Sequence, residues 1–355
     1  MNSKTYFYTD KPLFGLDIGH GSIKVMQLDP SMKKPGVMGF GHIAFEPSAV
    51  KDGVIVKPEV LATAAKDMFA RHLVGNITTN RVAVAVPVAR SFTRSISVPR
   101  LNKKELREAV QLEVEEYIPM PVEELYLDYS VVNQTAENIE LFVIAVPKKI
   151  VDSYLVFTRM LGLETVLVQT TLDGVARFIR QDAQSDVPTV LIDFGSLSAD
   201  ISVFDKSLIV SGIAPGGGDV FTNLIAQRLG VNHQEAHLVK TKYGINASKK
   251  QQEILAAVEP TLAQVVKEIR RIIRYYEERY GAERKISQIV TVGGGTNMPG
   301  LTEYLTNQLR VAARACEPWQ YLEPNRLQPP SQTERLLYTT AAGLALVNPK
   351  QVFAT

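Results

Sequence analysis

Two stretches of this chain, far apart in the sequence, are built to one plan. The first, Leu13–Leu28, opens with the apolar run Leu13-Phe14-Gly15-Leu16-Asp17-Ile18, breaks at Gly19-His20-Gly21 and resumes over Ile23–Leu28. The second, Thr189–Asp193, is apolar and ends in Asp; Gly195 turns the chain and Ala199–Phe204 returns. Leu-Asp-Ile-Gly at 16–19 is matched by Ile-Asp-Phe-Gly at 192–195. A short glycine-containing turn between two apolar runs predicts a β-hairpin. Two copies of one hairpin predict two similar halves facing each other. A chain of 355 residues has the length for them, at about 150 residues per domain.

Strands and helices alternate between and beyond the hairpins, which predicts an α/β protein. Apolar spacing of three and four gives helices over Pro58–Val74, Lys148–Leu161, Leu172–Gln181, Gln234–Tyr243 and Thr261–Tyr280. Asn102 with Glu105 forms a capping-box signature for a helix that Pro119 stops after Ile118. Its apolar face is Leu106, Val110, Val114, Tyr117 and Ile118, and its other face is acidic. Arg81–Val88, Leu125–Val132, Ile139–Pro147, Thr165–Gln169 and Ile286–Val292 read as strands. Gly216–Leu229 opens as a glycine turn into a helix, Trp319–Gln332 reads as loop, and Leu336–Val347 is an Ala-rich apolar helix.

The composition is that of a globular chain: 45% hydrophobic and 21% charged residues, which excludes disordered and fibrous classes. The 39 basic and 37 acidic side chains nearly balance, so there is no strong overall field for gripping nucleic acid. The arginines of the long helix are interleaved with Glu268, Glu277 and Glu278, which reads as a salt-bridged surface. Cys316 is the single cysteine, so no intrachain disulfide framework is possible. His42, His72, His233 and His237 show no metal-ligand spacing. No run reaches the ~18 apolar residues of a membrane helix. The first fifteen residues lack a signal-peptide pattern. These features predict a soluble cytoplasmic protein.

Three glycine turns each follow a short apolar strand: Gly19-His20-Gly21, Gly195-Ser196, and Gly293-Gly294-Gly295 with Thr296-Asn297. Glycine lets backbone N–H groups approach an anion closely. Asp17 and Asp193 end the first two strands and can each hold a hydrated Mg²⁺, which needs only one or two carboxylates. Lys24 on the return strand can reach a phosphate as a point charge, and Ser196 and Ser198 offer hydroxyls. Any one turn alone reads as an ordinary hairpin. Three in order, two of them with Asp, read as a nucleotide cleft. Asp200 reads equally as a water-positioning acid and as a solvated strand residue. Asn297 reads as a cap that also touches a base, and His20 as a contributor of its backbone N–H.

Quoted in full, FGLDIGHGSIKV (14–25), VLIDFGSLSADISVF (190–204) and VTVGGGTNMPGL (290–301) resemble the two phosphate loops and the adenosine loop of the actin-like ATPase superfamily. LYTTAAGLAL (337–346) resembles its closing helix. The resemblance implies two domains with five-stranded mixed sheets around a nucleotide cleft, at 12–187 and 188–335, with 336–350 returning to the first. It also implies ATP and Mg²⁺ as ligands, with Ser22 among the first-loop contacts.

Between the loops, EAVQLEVEEYIPMPVEELYLDYSVV (108–132), GGGDVFTNLIAQRLGV (216–231) with KTKYGI (240–245), and KEIRRIIRYYEERYG (267–281) are similar to the PilM family of type IV pilus assembly proteins. That resemblance adds Gly216, Gly217, Gly218 and Lys240 to the nucleotide contacts. Where that family has a Glu three residues before the lysine, this chain has His237. It further implies a cytoplasmic scaffold with weak or no ATPase activity. Such a scaffold is peripheral at the inner membrane through the N-terminal tail of a PilN-like protein. The tail lies in a groove beside a small inserted subdomain at 81–150, and contact with pilus motor ATPases and self-association are compatible with the class. An active sugar kinase of the same fold and an FtsA-like division protein are the alternatives. The ending VNPKQVFAT has too little apolar moment for the membrane helix of the latter.

Overall fold

The computed structural model describes residues 11–29, 34–181, 187–281 and 284–352. The signal-peptide reading of residues 1–10 and the last three residues of the C-terminal tail lie outside them.

In chain order the strands are β1 (Phe14–Ile18), β2 (Ser22–Asp29), β3 (Gly36–Ala44), β4 (Val50–Lys51), β5 (Val54–Ile55), β6 (Leu73–Gly75), β7 (Arg81–Val86), β8 (Phe92–Pro99), β9 (Leu125–Gln134), β10 (Asn138–Pro147), β11 (Glu164–Thr170), β12 (Thr189–Phe194), β13 (Ser198–Asp205), β14 (Ser207–Pro215), β15 (Gln288–Val292) and β16 (Ala313–Ala315). The main helices are α1 (Pro58–Arg71), α2 (Lys103–Tyr117), α3 (Lys148–Met160), α4 (Thr171–Ile179), α5 (Gly218–Leu229), α6 (His233–Lys242), α7 (Gln251–Tyr280), α8 (Leu301–Leu309) and α9 (Thr339–Ala345). Among the described residues, no helix is long and apolar enough to cross a membrane.

The chain divides into two compact units. The first combines the chain up to Pro87, Ile150–Asp182, and Glu317 onward. Its sheet has the order β11-β7-β1-β2-β3-β6. β1, β2 and β3 run antiparallel as a meander, while β7 and β11 are parallel to β1. The sixth strand, beyond the five expected, is the three-residue β6 on the edge of β3. β1 and β7 are buried along their whole length and are mostly apolar, as central strands covered on both faces are. Helix α9 lies directly on β1 and α4. A methyl group on Gly343 would fall 1.8 Å from the Gly174 carbonyl oxygen, so backbone meets backbone there. The Pro-rich stretch read as loop carries structure of its own: Trp319 packs edge-on against Phe40 at 4.9 Å, and Glu323 exchanges backbone hydrogen bonds with Pro35 and Val37.

The second unit combines Val88–Lys149 with Ala183–Cys316. Its main sheet has the order β14-β13-β12-β15-β16, with β15 parallel to β12. Helix α7 covers it with a buried stripe that includes Ile254, Val258, Leu262, Val265, Ile269 and Tyr276. This helix starts ten residues before the expected Thr261 and runs through Pro260. The apolar stripe continues across the proline, and its burial outweighs the one missing hydrogen bond. A smaller sheet, β8-β10-β9, packs on α2 through Ile96, Val110, Val114, Leu141 and Val143. The Asn102–Glu105 capping box is formed. Thr93 bonds Ser211 at 2.5 Å and Arg279 pairs with Glu140 at 2.7 Å, which ties this small sheet to the rest of its unit. The insertion therefore starts after β7 rather than at residue 81. Arg81–Val86 pairs in parallel with β1 and belongs to the first sheet.

Candidate functional site

In the first unit the hairpin turn is closed by Gly19 N–H donating to Ser22 O at 2.9 Å, and Gly21 O accepts from Phe45 N–H at 3.0 Å. His20, Gly21 and Ser22 are half-buried at its tip. Strand register sets Asp17 opposite Lys24 on β2, and Lys24 opposite His42 on β3. The Lys24 ammonium donates to Asp17 Oδ2 at 2.9 Å, and the two side chains are only 8% and 10% exposed. Lys24 thus neutralises the carboxylate beside it before it meets any ligand. An ammonium has three donors and a carboxylate has two oxygens. Among the described residues this pair engages one of each, so Lys24 retains donors for an anion and Asp17 an oxygen for a hydrated cation. The donor set fits a phosphate with magnesium. Burial, then the Lys24 charge, lower the His42 pKa, which keeps that ring neutral.

The second hairpin sits in the second unit. Asp193 and Asp200 are cross-strand partners, so both carboxylates lie on one face. Asp200 is not a solvated strand acid. It is buried and accepts from Ser198 Oγ at 2.9 Å, and burial pushes its pKa up to about 6 against that hydrogen bond. Gly195 N–H closes the turn on Ser198 O at 3.0 Å. The carbonyls of Gly195 and Ser196 accept from Gly218 N–H at 2.8 Å and Asp219 N–H at 2.9 Å. They thereby satisfy donors that a helix N-terminus otherwise leaves open. Gly216 N–H is turned to Leu197 O at 3.4 Å. The N–H groups of Gly216 and Gly218 are thus engaged by hairpin carbonyls. Gly217 has a different task. A methyl group there would meet Ser196 O at 2.4 Å, so glycine lets α5 touch the hairpin.

The third turn closes on the same place. Gly293 has φ +81°, and a methyl group on it would sit 2.2 Å from Asp193 Oδ1. One on Gly295 would sit 3.1 Å from Gly218 N. Gly294–Asn297 form a short 3₁₀ turn, with Gly294 and Asn297 half-buried and Thr296 Oγ1 donating to Val292 O at 2.7 Å. Lys240 reaches in from α6, donating to Gly218 O at 2.6 Å and Thr222 Oγ1 at 2.8 Å. Burial pushes its pKa down to about 8 while Asp219 opposes the shift. His237, one turn earlier on α6, is held below its ordinary pKa by burial and then by Lys240. Hence Asp193, Ser196, Ser198, Gly217, Gly218, Lys240 and Gly293–Gly295 converge at the carboxyl ends of β12 and β15. Open α/β sheets bind ligands at such ends.

Sequence reasoning missed Thr222, which anchors Lys240, and two buried groups of the first unit. Gln169 shares the register row of Asp17 through Ala85, and its Oε1 is buried without a hydrogen-bond partner. Tyr154 is 1% exposed, and its hydroxyl is likewise unpartnered among the described residues. The polar end of β11 is a visible signal for Gln169. Tyr154 has none, because it falls on the ordinary apolar stripe of α3.

Residues 15–348 match the family of the type IV pilus assembly protein PilM. The chain belongs to that family. It is similar to a solved PilM–PilN type IV pilus biogenesis complex at 24% identity and TM-score 0.81, covering 95% of this chain and 98% of that one. Ethanolamine utilization protein EutJ from Carboxydothermus hydrogenoformans matches at 17% identity and TM-score 0.54, over 94% and 88% of the chains. MreB5 of Spiroplasma citri, solved with AMPPNP, matches at 13% identity and TM-score 0.54, over 94% of both. These likenesses establish an actin-like ATPase fold, and the family places the chain among type IV pilus assembly proteins.

Proposed function

We propose that this protein is an ATP-binding scaffold of type IV pilus assembly that docks the N-terminal tail of a PilN-like inner-membrane protein. The observation that carries the reading is the family match over residues 15–348, joined to two Asp-x-Gly hairpins, each with a buried or half-buried carboxylate near the end of its first strand. Gly19–Ser22 with Lys24, and Gly195, Ser196 and Ser198, are the phosphate segments of this assignment. Lys240, Gly293–Gly295 and Asn297 are its adenosine segments. Asp17 in the first unit and Asp193 in the second are the carboxylates that would each face a hydrated magnesium ion in this assignment. ATP bound with Mg²⁺ supplies a triphosphate whose charge Lys24 meets. Asp200, protonated at acidic pH and ionised above it, orients water only in its ionised form.

The small sheet with α2 is the assigned docking region for the tail. A recess of about 270 Å³ there is lined by Met120, Glu123, Glu124, Pro147, Lys148 and Lys149. Its mix of both charges around apolar stems suits an amphipathic peptide. Localisation at the cytoplasmic face of the inner membrane follows from that partner. Nucleotide biases docking to the extent that one state of the protein binds it better.

A fluorescent peptide of the partner's N-terminal tail, titrated with and without Mg-ATP alongside a phosphate-release assay, tests the reading. Saturable peptide binding with little release is the expected result. Rapid release on adding a sugar acceptor, with no peptide binding, would replace the scaffold by a kinase.

A further inference from the structure

A large cavity of the first unit lies at the opposite end of its sheet from the Gly19 turn. β1, β7 and β11 run parallel, so their amino ends come together, and a cavity of about 870 Å³ opens there. Its walls come from α1, the loop between β6 and β7, and the turn between α3 and β11. Phe14 lines it fully buried, with Phe69 edge-on at 6.1 Å. Phe69, Leu73, Ile77, Leu161 and Leu163 line it too, and each is only half-buried. A methyl group on Gly162, in the same wall, would meet nothing within 4 Å. The fold itself fixes these walls. Thr78 and Gln27 exchange two hydrogen bonds, of 2.7 and 2.8 Å, and Asn80 O accepts from Glu164 N–H at 2.8 Å. Apolar side chains from three elements, half-covered around one preformed cavity, suit an apolar occupant.

The chain itself carries such an occupant. Lys11 and Pro12 line the cavity, and both are held there by their carbonyls. The buried Arg81 donates from Nη1 to Lys11 O at 2.9 Å, and Thr79 Oγ1 donates to Pro12 O at 3.0 Å. The ten residues before Lys11 are therefore joined to the cavity wall, and they include three aromatics in a row, Tyr6-Phe7-Tyr8. Tyr8 is three residues from Lys11 and Tyr6 is five, about 10 and about 17 Å of extended chain. Each ring has about 150–250 Å² to bury. So short a tether gives an effective concentration on the order of millimolar, against which any free partner must compete. We infer that this cavity is the docking site of the chain's own segment Tyr6–Tyr8, whose rings cover Phe69, Leu73 and Leu163. The inference stands apart from the nucleotide reading, because the cavity is at the other end of β1.

The test digests the full chain with a trace of chymotrypsin, beside a synthetic peptide of residues 1–12. Mass spectrometry reads the cuts after Tyr6, Phe7 and Tyr8. Cleavage needs the undocked segment, so its rate tracks that population, and cutting about tenfold slower than in the peptide is expected. Ala70→Glu puts a charge into the cavity wall at an exposed position of α1. With native circular dichroism, that variant should be cut at the peptide's rate. A second variant combines Tyr6→Ser, Phe7→Ser and Tyr8→Ser, all outside the packed unit. It should bind the apolar-site dye anilinonaphthalene sulfonate more strongly than the wild type, because the cavity is uncovered. Cutting of the wild type at the peptide's rate overturns the inference, and so does equal dye binding by the two proteins. Equal protection in Ala70→Glu and the wild type places the segment elsewhere and overturns it too. Protection that vanishes on dilution gives the cavity to a second copy's segment instead of the chain's own.

Discussion

Asp200 shows how one buried side chain imposes a pH dependence on the whole fold. Its pKa is 3.8 when unburied and about 6 in the folded protein. Below the lower value both states hold the proton and the residue is neutral in its effect. Between the two values the folded state keeps a proton that the unfolded state has lost, so stability falls as pH rises. Above about pH 6 the full cost applies, on the order of 3 kcal/mol at about 1.4 kcal/mol per pKa unit. Asp200→Asn keeps an acceptor for Ser198 and removes the charge. Urea unfolding across about pH 4 to 8 should show the decline in the wild type and a flatter profile, with greater stability at pH 8, in the variant. Identical profiles would mean that Asp200 is ionised without penalty. Lys24 makes a related point about reading a site from sequence. Its spacing of seven from Asp17 is visible, and so is its charge, but only the hairpin register makes the two cross-strand neighbours. The buried pair follows from that pairing. Thr222 was not legible, since nothing in a helix threonine announces which polar atom it will face.

Elements were legible wherever their signals are local. Both hairpins, the capping box at Asn102 and the buried face of α2 follow from spacing and turn chemistry alone. The failures are tertiary. Pro260 reads as a helix boundary, yet the stripe on α7 crosses it. The Pro-rich stretch after Trp319 reads as loop, yet it pins β3. The Gly343–Gly174 contact is of the same kind, because a glycine on an apolar helix does not reveal the helix it must touch. Gly343→Ala drives a methyl group into the Gly174 carbonyl, 1.8 Å away. α9 must then lift off α4, and a loss of about 3 kcal/mol or more is expected, at or above the usual range for overpacking. Gly162→Ala is the control: φ is +70° but nothing lies within 4 Å, so only backbone strain of about 1 kcal/mol is at stake. Chemical denaturation of the two variants should separate them clearly. Similar losses would place the α4–α9 contact elsewhere.

For the whole molecule, the sequence carries a repeated hairpin and the structure carries the consequence. Each compact unit holds one strand-end carboxylate beside a glycine turn, on a sheet whose parallel strands end there. The family match and the actin-like fold agree with that plan. Grouping of the small α2 sheet with the second unit was beyond the sequence, since it depends on contacts such as Arg279–Glu140 between distant segments.

Isothermal titration of Mg-ATP into the wild type and into Asp17→Asn addresses the nucleotide assignment most directly. The substitution preserves size and a hydrogen bond for Lys24 while removing the carboxylate charge. The account predicts stoichiometric binding to the wild type and affinity about tenfold weaker or worse in a variant whose circular dichroism is native, the loss of one charge-assisted contact. No binding to the wild type, or equal affinity in both proteins, would contradict it.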